Sequence, residues 1–214
     1  MQILVRTLVL IILISASFGV GADEKSVRSF QQIVDSGSIR IGMTVYAPWV
    51  MRAKDGQLIG SEVDMAKRLA ADMGIRSQLS VYEWQELIPA LERGDIDVIV
   101  SGMGIKPSRA LRVNFSRPYG DTGIGLAANT RITSNVSSMD DLKQPNIKLG
   151  VLVDSVSSGV AKRMFSKATI VSFANENDME SAIIKGDVHA IIAANPLPNF
   201  ISLKNPGKID LPLT

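Results

Sequence analysis

The run Ser101-Gly102-Met103-Gly104-Ile105-Lys106-Pro107-Ser108-Arg109 carries the strongest chemical signal in the chain. Its two glycines leave backbone N–H and C=O groups open to a partner just after an apolar segment. Arg109 follows on a short turn or helix, and a guanidinium offers a planar fork that grips a carboxylate through two parallel hydrogen bonds. The alternative for Arg109 is a solvated helix residue beside Arg112, and composition does not choose between the two. Tyr46 and Trp49 flank Pro48 after a predicted strand. They either form a flat wall against a ligand or belong to the core, and core is favoured for one of them. Asp154 and Ser155 fall where a strand gives way to a helix, a place where free N–H groups and the helix dipole attract anions. Both are also preferred helix caps, and a plain cap is the simpler reading of either. Asp97 and His189 each sit within an apolar strand, and the lone histidine there reads as a hydrogen-bonded structural residue. Asp64, on an amphipathic helix, reads as a solvated or capping carboxylate.

Other chemistry is excluded by composition. The chain has no cysteine and a single histidine, His189. Disulfides, thiolate nucleophiles, histidine-cluster metal sites and histidine-based triads are therefore out of reach. Net charge is only +2, with no basic block or acidic tail to suggest nucleic acid or an anionic membrane. No cofactor is expected.

Residues 1–22 differ from the rest. Arg6 is their only charge, an apolar run follows from Leu8 to Val20, and Val20-Gly21-Ala22 offers small residues for cleavage. The run is short for a membrane span, which needs about 20 apolar residues. A cleaved secretory signal peptide is expected, with an uncleaved anchor as the alternative.

Beyond the leader, helical and strand patterns alternate. A helix is predicted over 27–34 with Ser26 as its cap, then a strand over 39–45. Turn residues span 55–60. Val63, Ala66, Leu69, Ala70 and Met73 recur at helical spacing before Gly74. A strand over 78–82, a helix around Leu87–Leu91 and an all-apolar strand over 96–100, buried on both faces, come next. A crossing strand over 122–128 and a polar loop over 130–138 lead to a second series: strands over 148–153, 169–173 and 188–193, helices over 156–165 and 179–185. Such alternation predicts parallel sheets with crossover helices. The stretch from Arg93 to Val100 is echoed by Lys185 to Ile192, which suggests two lobes of similar construction. Ligands in open α/β sheets lie beyond the carboxyl ends of the strands. That places Ser101–Gly104 and Ala193–Pro196 on opposite walls of one cleft.

Ordered motifs then carry a resemblance. Tyr46-Ala47-Pro48-Trp49, Gly60-Ser61-Glu62-Val63-Asp64-Met65-Ala66, Trp84-Gln85-Glu86-Leu87-Ile88-Pro89-Ala90-Leu91, Gly94-Asp95-Ile96-Asp97-Val98, Ser101 to Arg109 and Val113-Asn114-Phe115-Ser116-Arg117-Pro118-Tyr119 resemble bacterial extracellular solute-binding proteins, family 3. The resemblance implies a type II periplasmic binding fold: two α/β lobes closing on a ligand, with lobe one at 23–124, lobe two at 125–200, and 201–214 beginning a return segment. The C-terminal part of lobe one, normal in the family, is expected to be missing. It further implies a periplasmic monomer that delivers a small carboxylate-bearing ligand, a polar amino acid or relative, to an ABC permease. By that likeness Arg109 clamps the α-carboxylate, Gly102 offers its carbonyl to the α-ammonium, Tyr46 and Trp49 line the side-chain pocket, and Ser155 binds from lobe two. Three positions depart from the pattern: Gly104 replaces a hydroxyl residue near the ammonium, Ala194 replaces the ammonium-pairing aspartate, and Asp154 replaces a glycine. Either Asp154 or Glu62 substitutes for the lost acid, or the ligand lacks an α-ammonium. The alternative function is an enzyme of the same fold, dehydratase-like, with Glu62, Asp154 or His189 as its acid; a third is a receptor's ligand-sensing module.

Overall fold

The computed structural model describes residues 27–211, so the predicted leader, the cap Ser26 and the last three residues lie outside the described chain. Helix α1 (Phe30–Asp35) starts later than the apolar pattern suggests, because Ser29 and Gln32 form a reciprocal capping box at its entrance. Strand β1 (Ser38–Met43) follows, and its Ile39, Ile41 and Met43 are buried. A small hairpin, β2 (Met51–Arg52) with β3 (Leu58–Ile59), turns through Gly56. Helix α2 (Ser61–Asp72) buries Val63, Ala66 and Ala70 against β1. Leu69, expected on the same stripe, is exposed, because the buried face is the narrower i, i+3, i+7 row.

Strand β4 (Arg76–Val81), a one-turn 3-10 helix (Trp84–Glu86) running into α3 (Leu87–Glu92), and strand β5 (Val98–Ile99) complete the first sheet. Its order is β4-β1-β5, all parallel. β5 lies at the edge, which corrects the expectation of a strand buried on both faces: Ile96 and Val100 are buried, whereas Val98 and Ile99 are only half-buried. The short α4 (Pro107–Ala110) carries Arg109.

Strand β6 (Ile124–Asn129) leads into the second sheet. There follow β7 (Lys148–Leu152), α5 (Val156–Met164), β8 (Thr169–Phe173), α6 (Glu176–Lys185), β9 (Ala190–Ala194), α7 (Leu197–Lys204) and β10 (Ile209–Asp210). The order is β10-β6-β9-β7-β8; β7 runs parallel to β8 and β9, while β6 is antiparallel to β9 and β10. Asn175 caps α6 and starts it three residues before the predicted Met179. The sequence signals missed α7, which has Pro196 as its cap and Pro198 in its first turn, where a helix accepts proline. β10 closes this sheet at β6, within the stretch assigned to the start of a return segment.

The internal echo is a structural repeat. Gly94 and Gly186 both take positive φ after a helix. The next residues, Asp95 and Asp187, donate back to Ala90 O and Ala182 O, each at 2.9 Å. Asp97 N and His189 N each donate 2.8 Å to the neighbouring strand, at Arg40 O and Lys148 O. Each side chain then accepts from that same residue's N–H: Arg40 N to Asp97 Oδ2 at 2.7 Å, Lys148 N to His189 Nδ1 at 3.1 Å. The hydrogen-bonded structural reading of His189 holds, and Asp97 is held in the same way. Asp97 additionally pairs with Arg28 and Arg40. Burial alone would raise its carboxyl, but the bonds from the two arginines outweigh that and hold it well below the carboxylate range.

Candidate functional site

The carboxyl ends of the two sheets meet across a seam, and the sequence-predicted residues gather there. Pro107 at the start of α4 fixes the turn after Ser101–Lys106. This turn brings Arg109 inward, where it is only 3% exposed. Its Nη1 donates to Gly104 O at 2.8 Å, within the same loop. Its Nη2 donates to Asp154 O at 2.7 Å, across the seam. The guanidinium carbon lies 5.2 Å from the centre of the Trp84 ring. Burial pulls the guanidinium below its ordinary value, and the Asp154 charge opposes this. Among the described residues no carboxylate ion-pairs with Arg109. The solvated-helix alternative is therefore set aside: neighbouring Arg112 is the surface residue, paired with Glu92.

Asp154 has φ of 52°, the left-handed region that favours glycine. This explains why a glycine would suit the position. Its carbonyl accepts from Lys106 Nζ, at 2.7 Å, as well as from Arg109. Its carboxylate is 67% exposed and pairs with Lys106 at 3.2 Å. Ser155 caps α5, its Oγ accepting from Ser158 N at 3.0 Å, as the simpler sequence reading has it.

Gly104 faces α5 so closely that a Cβ there would meet Val156 Cγ2 at 2.9 Å. A side chain at 104 would require Val156 to shift. Gly102, with φ of 59°, is exposed; a Cβ on it would have one atom within 4 Å, Glu62 Oε1 at 3.9 Å. Glu62 is 4% exposed, and its Oε2 accepts from the Tyr119 hydroxyl at 2.7 Å. Burial, then the Glu62 carboxylate, push the Tyr119 hydroxyl well above its usual value.

Tyr46 and Trp49 stack at 5.0 Å with an interplanar angle of 6°. The turn between them is set by Tyr46 N to Val50 O (2.9 Å) and Trp49 N to Tyr46 O (3.0 Å). Both rings are half-buried and pack against the second sheet's core, with Ala47 fully inside it. The wall and core readings merge: the pair is part of a core, but of the opposite lobe. The Ala194 backbone faces the Tyr46 hydroxyl, which burial raises far above its usual value.

Sequence reasoning missed Glu176. This first-turn residue of α6 is 5% exposed, and its Oε2 accepts from Ala47 N across the seam at 2.5 Å. Burial raises its carboxyl to about 7, against the Ala47 N–H that lowers it. Locally it resembles any first-turn acid; only the tertiary contact marks it. His189 lies away from these residues, lining a surface depression of the second lobe with Asn135 and Gln144. Burial and then Lys148 lower its pKa. Among the described residues no cluster of three metal-ligating side chains occurs, and no helix is long and apolar enough to cross a membrane.

Two α/β lobes, each with its sheet's carboxyl edge on one seam, define a type II periplasmic solute-binding fold. Residues 39–144 match the bacterial extracellular solute-binding proteins, family 3, and the chain belongs to that family. The L-cystine-binding protein TcyJ of Escherichia coli K12 is 28% identical over 133 residues, covering 59% of this chain and 50% of that protein. The chain thus matches only about half the length of that curated relative. Among solved structures, the ancestral amino acid-binding protein AncCDT-1, a precursor of cyclohexadienyl dehydratase, superposes with a TM-score of 0.76 at 30% identity, covering 81% of this chain and 77% of that one. A putative binding component of an ABC transporter from Wolinella succinogenes, complexed with lysine, gives 0.73 at 31% identity, with 81% and 76% covered.

Proposed function

We propose that this chain is a non-catalytic periplasmic binding component that captures a small carboxylate-bearing solute, an amino acid or close relative, for an ABC-type permease. The observation that carries the reading is Arg109. Among the described residues the buried guanidinium is hydrogen-bonded by two carbonyl oxygens and ion-paired with no carboxylate, and a buried charge without a paired anion is costly by several kcal/mol. A ligand carboxylate supplies that anion. In this reading Gly102 offers its carbonyl to the ligand, Gly104 lets the lobes approach, Tyr46 and Trp49 border the side chain, and Ser155 and Asp154 contribute the wall of lobe two. Lobe one spans 23–124 and lobe two 125–200; the leader at 1–22 directs export, and the mature protein is a monomer.

The dehydratase alternative gains support from the likeness to AncCDT-1 but needs a free acid at the seam. Asp154 pairs with Lys106, Glu62 is held by Tyr119, the seam acid Glu176 is engaged by Ala47 N–H, and His189 lies elsewhere. The lysine complex and the cystine-binding relative favour binding.

The test is thermal melting of the leader-free protein against amino acids, repeated with Arg109→Ala. A ligand at a hundredfold excess over Kd stabilises by about 2.7 kcal/mol and raises the midpoint visibly. Removing the clamp should weaken binding at least about thirtyfold, from the 2–5 kcal/mol typical of a lost buried charge contact. Unchanged affinity in a folded Arg109→Ala protein would remove Arg109 from the site.

A further inference from the structure

An amino acid brings an ammonium as well as a carboxylate, and an ammonium in a closed cleft needs an acid. Ala194, the position given to that acid by the family resemblance, has no carboxylate, and its backbone is faced by the Tyr46 hydroxyl. Two acids near Arg109 and Gly102 could replace it. Asp154 is a poor candidate, because its carboxylate is mostly in solvent and already neutralised by Lys106.

Glu62 has the opposite character. It is buried, and among the described residues no lysine or arginine ion-pairs with it. One carboxylate oxygen accepts from the Tyr119 hydroxyl. The other is the single atom within 4 Å of the point where a Gly102 Cβ would stand. Gly102 is exposed, and its backbone bonds the same Tyr119 hydroxyl. Apart from the adjoining chain, the space beside the Gly102 Cα is therefore bounded within 4 Å by the Glu62 carboxyl alone. Any side chain at 102 would fill it.

We infer that Glu62 is the acid that receives the ligand's amino group, in the space beside Gly102, so that the ligand class is an amino-carboxylate and not an amine-free acid. This rests on Arg109 being the carboxylate clamp. The ammonium would sit against the Gly102 backbone and complete the charge balance of Glu62, as the ligand carboxylate completes that of Arg109. The positions that carry the two charges are then both in lobe one, and lobe two covers them.

Glu62→Gln separates charge from shape. The amide oxygen still accepts from Tyr119, while the charge is lost and amide hydrogens replace an acceptor. The experiment is isothermal titration of the leader-free wild type, Glu62→Gln and Arg109→Ala with the twenty L-amino acids and L-cystine, and with the des-amino acid of each binder (6-aminohexanoate for L-lysine). The expected result is that Glu62→Gln weakens the amino acid at least about thirtyfold while the des-amino acid binds both proteins alike. Equal weakening of both ligands, or amino-acid affinity within threefold of wild type, overturns the inference, provided Arg109→Ala still abolishes binding. Wild type that takes only des-amino acids overturns it as well and leaves the clamp standing. Full affinity in Arg109→Ala, or no binding of any probe by wild type, removes the clamp reading and this inference with it.

Discussion

Glu176 makes the seam sensitive to pH, and the size of the effect can be worked out. Its carboxyl is raised from the ordinary 4.5 to about 7, first by burial, then by Glu180, against the Ala47 N–H and Lys204. Below pH 4.5 both the folded and unfolded chains hold this proton, and the group has no effect. As pH rises toward 7 the unfolded chain releases it while the folded chain retains it, so stability falls; above 7 the loss is complete. A shift of that size corresponds to roughly 3 kcal/mol at 1.36 kcal/mol per pH unit. Glu176→Gln keeps an acceptor for Ala47 N–H and removes the charge. The Ala47 N–H bond is already contained in that net shift, so the substitution should stabilise the protein by roughly 3 kcal/mol at pH 8 and by almost nothing at pH 4.5. Urea unfolding of the two leader-free proteins, followed by circular dichroism at both pH values, reads the difference. A gap that is the same at both, or a variant less stable at pH 8, would show that Glu176 ionises in the seam without penalty and refute the reasoning.

Two stability predictions concern other positions. Asp97→Asn leaves Arg28 and Arg40 without their shared carboxylate and should destabilise by about 3 kcal/mol at pH 7. Because that carboxyl is held low in the folded state, the wild-type advantage should persist above its ordinary value of 3.8 and shrink as acid titrates it below, visible in unfolding curves at pH 7 and 2. Gly60→Ala should cost at least about 2 kcal/mol, since φ is 124° and the new Cβ would stand 2.1 Å from Trp49 O; an unchanged urea midpoint would contradict it.

The alternating pattern was enough to place both sheets, because buried parallel strands and amphipathic crossover helices leave periodic marks on the chain. The turn-forming Gly94 and Gly186 were legible for the same local reason. α7 escaped because Pro196 and Pro198 read as breaks, and β10 because two paired residues carry no period. At the site, Arg109, Gly102 and Gly104 stood out by residue type and spacing, and the structure brings them together. Their partners did not stand out. Arg109 bonds a carbonyl at Asp154, and every residue has a carbonyl. Glu176 meets Ala47 N–H across 129 positions of sequence, through a backbone group with no side-chain signature. The clash that ties Gly104 to Val156 is likewise invisible until the lobes are side by side.

The Tyr46–Val50 turn has a thermodynamic consequence. Ala47 is a member of the same buried cluster as Ile183, Leu197 and Ile201, with Tyr46 and Trp49 against it, although all three come from the other lobe's chain. The second lobe is thus not a finished body that waits for its neighbour; part of its interior arrives from outside, like a stopper. Separating the lobes wets that interior. Aromatic side chains bury 150–250 Å² each when fully enclosed, so at about 25 cal/mol per Å² the part of this half-buried, mutually stacked pair that faces the second core holds the lobes together by on the order of 1–2 kcal/mol. Any step that parts the lobes should then carry a positive heat-capacity change, set by protein surface meeting water far more than by a small polar solute.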